Sequence, residues 1–367
     1  MKQKQETILL GLSGGVDSTV AALLLKKQGY KVIGAFMKNF SETKDKITGQ
    51  CNWVNDKKDA QKIAAILKIP FITLNFEKEY KKYVIDPMFK AYARSLTPNP
   101  DSLCNKIIKF PFLWTEAKKL GASYIATGHY AKIKKTKSSF SLLKAKDKTK
   151  DQSYFLYELT QKDLAHTLFP IGNYTKKEIR KIAYKNNFPN YNKPGTKGIC
   201  FIGKVNMKAF LKQKIKQKKG KILNPEGKLL GYHNGTMFYT IGERIGPRLG
   251  FDIDKEFRNK TGKKWYIINK KIKSNILIAA PKNHPEAFRK KFIMRKINFI
   301  NDRPKFPLTK IKVRIRHLGE LIPVSIEYNN KKYNCTLKKS IEGIAEGQSA
   351  VIYKGEQVLG GGEIRFG

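Results

Sequence analysis

A glycine-rich turn near the N-terminus constrains this chain more than any other feature. The apolar residues 8–10 predict a buried strand, and residues 19–28 predict a helix that ends at Gly29. The turn between them consists of Gly11, Leu12, Ser13, Gly14, Gly15, Val16, Asp17 and Ser18. Paired glycines allow a ligand close to the backbone, and the first N–H groups of a helix attract an anion. The turn therefore predicts a phosphate or pyrophosphate site, the alternative being a turn that binds nothing.

The composition of the turn excludes two common nucleotide loops. It contains no lysine, so it is not the GxxxxGK[ST] loop that holds a γ-phosphate. It also lacks the GxGxxG spacing and the downstream acidic residue of dinucleotide-binding folds.

The first 150 residues alternate between strand and helix patterns. Further strands are predicted at 31–37, 71–75 and 124–127, and helices at 56–67, 79–95 (kinked at Pro87) and 109–120, with a loop at 97–104. This alternation predicts an α/β fold, a parallel sheet with helices on both faces. Ligands of such sheets bind at the carboxyl ends of the strands, where the glycine turn and Gly128-His129 both fall.

The remaining chain changes from helical to strand periodicity. A hairpin is predicted within 130–143, and residues 151–187 are predicted to be largely helical, with a capping box from Thr175 to Glu178. Residues 190–203 are irregular, and 205–219 predict a basic amphipathic helix closed by Gly220. Short alternating runs then predict strands at 228–231, 237–241, 264–268, 276–279, 310–315, 323–328, 331–337, 349–354 and 358–362. We therefore expect a catalytic domain at 1–205 and two small β-rich modules at 206–290 and 291–367, the last a β-barrel.

The charge and hydropathy of the chain indicate a polyanionic partner and no membrane span. The 74 basic and 29 acidic residues give a formal charge of +45, which favours RNA as the partner. Lysine is spread along the whole chain, so a general compositional bias is the alternative. No apolar run is long enough to span a bilayer and no signal peptide precedes the first strand, so we expect a cytoplasmic protein.

Four cysteines, Cys51, Cys104, Cys200 and Cys335, form no CxxC pair, so neither a zinc site nor a disulfide framework is expected. Cys104 and Cys200 lie in predicted loops beside lysines, and a nearby cation lowers a thiol pKa. Both are candidate reactive thiols, although buried structural cysteines are the alternative. Cys51 and Cys335 are interpreted as structural.

Several longer motifs occur in a fixed order along the chain. They are SGGVDS, NPDSLCNKIIKF, ATGHYA, KDQSYFLYEL and GICFIG, with TIGER at 240–244 and GQSAVIYKGEQVLGGGEI at 347–364. SGGVDS resembles the loop of the N-type ATP pyrophosphatases, the PP-loop superfamily. Together the motifs resemble the bacterial tRNA-specific 2-thiouridylases over nearly the whole chain.

The resemblance implies an ATP-dependent sulfurtransferase that modifies tRNA. Such an enzyme adenylates the C2 oxygen of the wobble uridine, at position 34, and replaces it with sulfur from a cysteine persulfide. The persulfide cysteine corresponds to Cys200 and its partner cysteine to Cys104, and the two would form a transient disulfide. The resemblance also implies ATP and Mg²⁺ as cofactors, tRNA as partner, and a sulfur donor protein, either a cysteine desulfurase or a persulfide relay protein.

Individual site residues are carried over by the same resemblance. The ATP site comprises Gly11 to Ser18, Met37 near the adenine, and Gly128, with Asp17 as a possible magnesium ligand. Met37 as a core residue is the alternative. The target-base and tRNA contacts are Asn99, Pro100, Asp101, His129, Lys150, Asp151, Gln152, Arg314, Ile315 and Gln348. The family has Arg-Tyr where this chain has Arg314-Ile315, so a stacking contact is lost, while Arg314 and Arg316 are expected to bind phosphate or base.

Two other functions fit parts of the sequence. Another PP-loop enzyme would adenylate a different acceptor, but it would need no cysteine pair. An RNA-binding protein with a vestigial nucleotide site would not need an intact glycine loop.

Overall fold

The computed structural model describes residues 5–42, 51–195, 206–246, 251–253 and 264–366. The helices in these ranges are α1 (Val16–Lys27), α2 (Asn52–Leu67), α3 (Glu77–Tyr80), α4 (Asp86–Ala93), α5 (Pro100–Cys104), α6 (Phe110–Lys119), α7 (Gln161–Ala165), α8 (Lys176–Lys185) and α9 (Met207–Lys212). Short π-helical turns, Lys81–Ile85 and Asn105–Lys109, join α3 to α4 and α5 to α6.

The strands fall into three groups along the chain. The first group is β1 (Thr7–Gly11), β2 (Lys31–Lys38), β3 (Phe71–Asn75), β4 (Tyr124–Thr127), β5 (Ala131–Lys135), β6 (Phe140–Lys144) and β7 (Thr167–Leu168). The second is β8 (Gly220–Leu223), β9 (Leu229–His233), β10 (Asp252–Ile253), β11 (Trp265–Lys271) and β12 (Ile276–Pro281). The third is β13 (Phe288–Phe299), β14 (Leu308–Arg314), β15 (Ile322–Asn329), β16 (Lys332–Glu342), β17 (Ser349–Lys354) and β18 (Gln357–Arg365).

The N-terminal sheet is parallel and covered on both faces, which confirms the predicted fold class. Its strand order is β3-β2-β1-β4-β7. Successive side chains of a strand point to opposite faces. Accordingly, Ile8 and Leu10 pack in one core with α1, α2 and α8, while Leu9 packs in the other with α4 and α6.

The C-terminal strands close into a barrel, as predicted. Six antiparallel strands follow the order β13-β16-β15-β14-β17-β18, and β18 pairs with β13 to close the ring. The predicted hairpin, β5–β6, extends this sheet because β6 pairs with β18. A part of the N-terminal segment is therefore built into the barrel sheet.

The middle strands form a separate sheet, the central module, in the order β10-β9-β8-β12-β11. Its residues Ile222, Leu230, Ile267 and Leu277 belong to the same core cluster as Leu9 and Cys104. No described helix is long and apolar enough to cross a membrane.

Several local predictions were wrong. Residues 97–104, predicted as a loop, contain α5, because Asn99 accepts from the Ser102 N–H and Pro100 starts the helix. Between residues 151 and 187 only α7 and α8 are α-helical, although the Thr175–Glu178 capping box is confirmed. The predicted helix at 205–219 shortens to α9 in the described residues, and Gly220 begins β8 instead of closing a helix.

Strand prediction also erred in the β-rich half. Residues 237–241 do not form a strand, since the 3₁₀ turn Thr236–Phe238 occupies their start. The 12-residue strand β13 was not predicted, because its many lysines and arginines weaken the alternation of apolar residues.

A buried polar network docks the barrel against the N-terminal domain. The Arg314 guanidinium donates to the Asp151 carboxylate at 2.7 Å, and these side chains are only 8% and 2% exposed. The second Asp151 oxygen accepts from the backbone N–H groups of Ala145 and Ser153, both at 3.2 Å. The Tyr154 hydroxyl donates to the Ser349 carbonyl at 2.9 Å, across the same interface.

We predict that Asp151→Ala destabilises the full chain by about 3–5 kcal/mol, because it leaves the Arg314 charge buried and unpaired. Urea-induced unfolding measures the change. Lys150→Ala, at the exposed neighbouring position, is the control and is expected to change stability by less than about 0.5 kcal/mol. Equal stability of the two variants would contradict a docking role for the ion pair.

Candidate active site

The glycine turn lies at the carboxyl end of β1 and is held by its neighbours through backbone contacts. The Leu12 N–H donates to the Ala35 carbonyl at 2.8 Å, which fixes the start of the turn to β2. Gly14 has a φ of +76°, and a Cβ on it would lie 2.3 Å from the Asp56 carbonyl oxygen. Only glycine fits there, for both backbone and space.

The N-terminus of α1 remains suited to an anion. Its N-cap residue is Gly15, which has no side chain that could cap the helix. The Ser18 hydroxyl donates to the Gly15 carbonyl at 3.0 Å and accepts from the Ser13 N–H at 3.2 Å. Backbone N–H groups of an uncapped first turn, together with the helix dipole, form a phosphate site.

Two residues that were not predicted from the sequence, Asn190 and Lys193, stabilise the turn and the neighbouring helix α2. The Asn190 amide donates to the Gly14 carbonyl at 3.0 Å and to the Thr19 hydroxyl at 2.8 Å. Lys193 makes ion pairs of 2.7 and 2.6 Å with Asp56 and Asp59 of α2. Both lie in a segment that reads as irregular, so their sequence carried no signal.

Gly128 brings the end of β4 against the same helix terminus. A Cβ on Gly128 would lie 2.7 Å from the Ser18 nitrogen and 2.9 Å from the Asp17 carbonyl carbon. The two predicted site segments therefore meet, and their contact requires glycine.

Asp17 is engaged by protein groups. The Lys176 ammonium lies 2.7 and 2.8 Å from its two carboxylate oxygens, and the Tyr130 hydroxyl donates at 2.7 Å. Burial and the Asp17 charge raise the pKa of Tyr130, so the phenol stays protonated. Among the described residues, no three His, Cys, Asp or Glu side chains cluster as metal ligands. The described side chains around Asp17 therefore do not fit a protein-built magnesium site.

Met37 lies near the carboxyl end of β2 and is 6% exposed within the core cluster of Leu9. Met37 is therefore a core residue in this structure, and its contact with adenine stays a prediction.

Cys104 ends α5 and is fully buried, at 0% exposure, rather than lying in a loop. The flanking Ser102 hydroxyl and Asn105 amide oxygen are buried without a hydrogen-bond partner. Pro100 and Asp101, in the first turn of the same helix, are half-buried. Cys200 lies outside the described residues, so its pairing with Cys104 stays a prediction.

His129 follows Gly128 and is buried, at 8% exposure. Its Nδ1 lies 2.6 Å from the Thr127 hydroxyl, and its Nε2 lies 3.4 Å from the Lys109 ammonium. Burial, with a smaller effect of the Lys109 charge, holds the pKa of His129 well below its usual range. The ring stacks on Phe110, so the contact with tRNA that the resemblance implies would need this side chain to become accessible.

The remaining residues with predicted tRNA contacts divide by exposure. Lys150 is exposed, and Gln152 is half-buried, its side-chain oxygen accepting from the Tyr130 N–H at 2.9 Å. Gln348 is half-buried and accepts from the Ala345 N–H at 3.2 Å.

Arg314 and Ile315 do not sit where the prediction needs them. Arg314 is committed to buried Asp151, and Ile315, 5% exposed, packs in the barrel core. Neither side chain faces a surface ligand in this structure. The exposed Arg316 remains, although it already donates to the Gly343 carbonyl.

The fold and the site define a nucleotide-binding α/β protein with two appended β modules. Family models match residues 6–204 as a tRNA methyl transferase HUP domain, 208–281 as a tRNA methyl transferase PRC-barrel domain, and 289–364 as an aminomethyltransferase β-barrel domain. The chain is 42% identical to tRNA-specific 2-thiouridylase MnmA 1 of Geobacillus kaustophilus, over 97% of this chain and 95% of that protein. It is also 42% identical to the MnmA of Coxiella burnetii strain Dugway, over 99% of both chains. For the MnmA of Blochmanniella floridana the identity is 43%, over 97% of this chain and 96% of that protein.

The chain therefore belongs to the tRNA-specific 2-thiouridylase family, which confirms the resemblance predicted from its motifs.

We predict that His129 makes the fold sensitive to acid. Its folded pKa lies below the unfolded value of about 6.5, so below that pH the unfolded chain binds more protons and stability falls as the pH drops. The slope contributed is at most about 1.4 kcal/mol per pH unit. Unfolding measured between pH 7 and 5 should show a shallower loss for His129→Asn than for the control His284→Asn, and equal slopes would contradict the assignment.

Proposed function

We propose that the protein is an ATP-dependent tRNA 2-thiouridylase that converts the wobble uridine, at position 34, to 2-thiouridine. The observation that carries the proposal is the lysine-free glycine turn, closed by Gly128, in a chain similar to 2-thiouridylases from end to end. The similarity to known relatives supports the reaction, and the geometry of the glycine turn supports its ATP-dependent half.

The first half is activation of the uridine by ATP. The glycine turn and the α1 N-terminus bind the phosphates, with Met37 beside the adenine. The C2 oxygen attacks the α-phosphate, and pyrophosphate leaves. This step replaces a poor leaving group with AMP. Asn99, Pro100 and Asp101 hold the flipped base, since a base must leave its stack to react.

The second half is sulfur transfer. The outer sulfur of a Cys200 persulfide attacks C2, and AMP departs with the former C2 oxygen. The Cys104 thiolate then attacks the inner sulfur, which frees the 2-thiouridine and leaves a Cys104–Cys200 disulfide. In the alternative route, the Cys104 thiolate attacks the persulfide first, and the released sulfide attacks C2. Such a transient disulfide is typical of a reducing compartment. Because Cys104 is fully buried, its attack in either route takes place out of contact with bulk solvent.

The β modules are proposed to bind tRNA, with boundaries near residues 205 and 290. The charge of +45 and the exposed Lys150 support an electrostatic contribution to this binding. Persulfide sulfur comes from a cysteine desulfurase or a persulfide relay protein, and the reaction takes place in the cytoplasm. Mg²⁺ is proposed to accompany ATP, but no step is assigned to it because Asp17 is paired with Lys176.

We predict that purified protein, given ATP, magnesium, tRNA and a persulfide source, produces 2-thiouridine detectable by nucleoside mass spectrometry. Cys200→Ser should still release pyrophosphate in the presence of tRNA, but should make no 2-thiouridine, because only the sulfur carrier is removed. Cys104→Ser should likewise lose thiolation.

Cys51→Ser is the matched control, because Cys51 is half-buried and, among the described residues, its thiol donates to the Ser41 carbonyl. Normal thiolation by Cys200→Ser would overturn the proposed chemistry. A tRNA modified without sulfur would instead point to a PP-loop enzyme with another acceptor.

We predict that Gly128→Ala weakens ATP binding by about tenfold or more, because the new methyl group collides with the backbone that forms the phosphate site. Isothermal titration with a non-hydrolysable ATP analogue measures the change. In the control, Gly246→Ala, the added Cβ meets nothing within 4 Å. An unchanged affinity of Gly128→Ala would place the nucleotide elsewhere.

A further inference from the structure

Residues 95–99, here called the strap, connect α4 to α5 and so lead directly to the helix that ends at Cys104. The strap begins at Ser95, which is 3% exposed and has a φ of +58°. It ends at Asn99, whose side chain caps α5. Its path therefore sets where α5 begins.

The central module holds the first part of the strap. The Lys270 ammonium, on β11, donates to the Ser95 carbonyl at 2.5 Å and to the Tyr239 carbonyl at 2.9 Å. Two hydroxyl pairs also join the strap to this module, Ser95 with Thr236 at 2.9 Å and Thr97 with Thr240 at 3.1 Å.

The barrel holds the second part. The Thr97 N–H donates to the Glu346 carbonyl at 2.8 Å, and the Asn99 amide donates to the Ser349 hydroxyl at 3.2 Å. Gly347 packs so closely that a Cβ there would lie 2.8 Å from the Thr97 nitrogen. The strap is thus clamped between both β modules.

Lys270 is the charged group in this clamp. Burial lowers its pKa to about 8, against the opposing charges of Glu346 and Glu243. Burying an ammonium is unfavourable unless its donors are satisfied, and here two backbone carbonyls satisfy them. The Lys270 ammonium therefore fixes the path of the strap backbone at Ser95.

We propose that Lys270 is a positioning residue for sulfur transfer: by holding the Ser95 carbonyl, it sets the path of the strap and, through Asn99, the placement of the Cys104 helix. The inference rests on the proposed role of Cys104. It couples docking of the central module to the chemistry of the catalytic domain.

The test compares Lys270→Met with Lys271→Met, an exposed lysine one residue along the same strand. The first measurement is the rate at which a maleimide labels Cys104 in the full chain, read from its peptide by mass spectrometry. Lys270→Met should raise that rate about tenfold or more over Lys271→Met, because a charge-assisted hydrogen bond holding the strap is lost. The second is single-turnover thiolation, which should fall about tenfold while ATP affinity stays unchanged, since Lys270 touches no part of the glycine turn.

A second variant allows the proposal to be tested if Lys270→Met does not fold. Thr240→Val removes only the hydroxyl contact with Thr97 and should raise Cys104 labelling in the same direction. Labelling and thiolation equal to those of Lys271→Met in every folded variant would overturn the proposal. If labelling rises but the unaltered protein makes no 2-thiouridine, Lys270 positions the helix and the proposed function is at fault.

Discussion

The candidate site depends on one constraint: at two places its backbone packs against a neighbouring backbone so closely that only glycine fits. Gly14 lies against the Asp56 carbonyl, and Gly128 lies against the Ser18 nitrogen. The carboxyl ends of β1 and β4 are neighbours in the sheet, so the turn after each strand must share the same small volume. Because Gly128 has no side chain, the turn after β4 packs against the first turn of α1 at Asp17 and Ser18, while Gly14 allows the glycine turn to pack against α2. The shape of this candidate phosphate site is thus a consequence of sheet order combined with two glycines.

Much of this arrangement could be predicted from the sequence. Strand–turn–helix order and apolar periodicity depend on local residues, so the parallel sheet, the glycine turn and the closing β-barrel follow from them. The placement of Asn190 behind the turn could not be predicted, because its contacts join residues 176 positions apart. Likewise, α5 was read as a loop because its proline and asparagine are turn residues, although here they begin and cap a helix.

Charge was the least informative guide to individual residues. The family resemblance assigns tRNA contacts to Arg314 and Asp151, yet they neutralise each other between the barrel and the N-terminal domain. A sequence shows that a residue is charged, but not whether its counter-charge lies 163 positions away in the same chain. Burial removes such a pair from the surface without changing the net charge, so the number of basic residues overstates how many of them a polyanion can contact. The exposed lysines are the part available for phosphate contacts.

The buried position of Cys104 links these observations to the reaction. A thiol at 0% exposure, in a core shared with the central module, is protected from solvent and from oxidants in solution. Opening its helix means moving a strap that both β modules hold, so binding at either module can shift the balance between the closed and open forms. A ligand changes that balance only by its different affinity for the two forms. The two β modules therefore do more than extend the chain, because they hold the backbone segment that leads to the Cys104 helix.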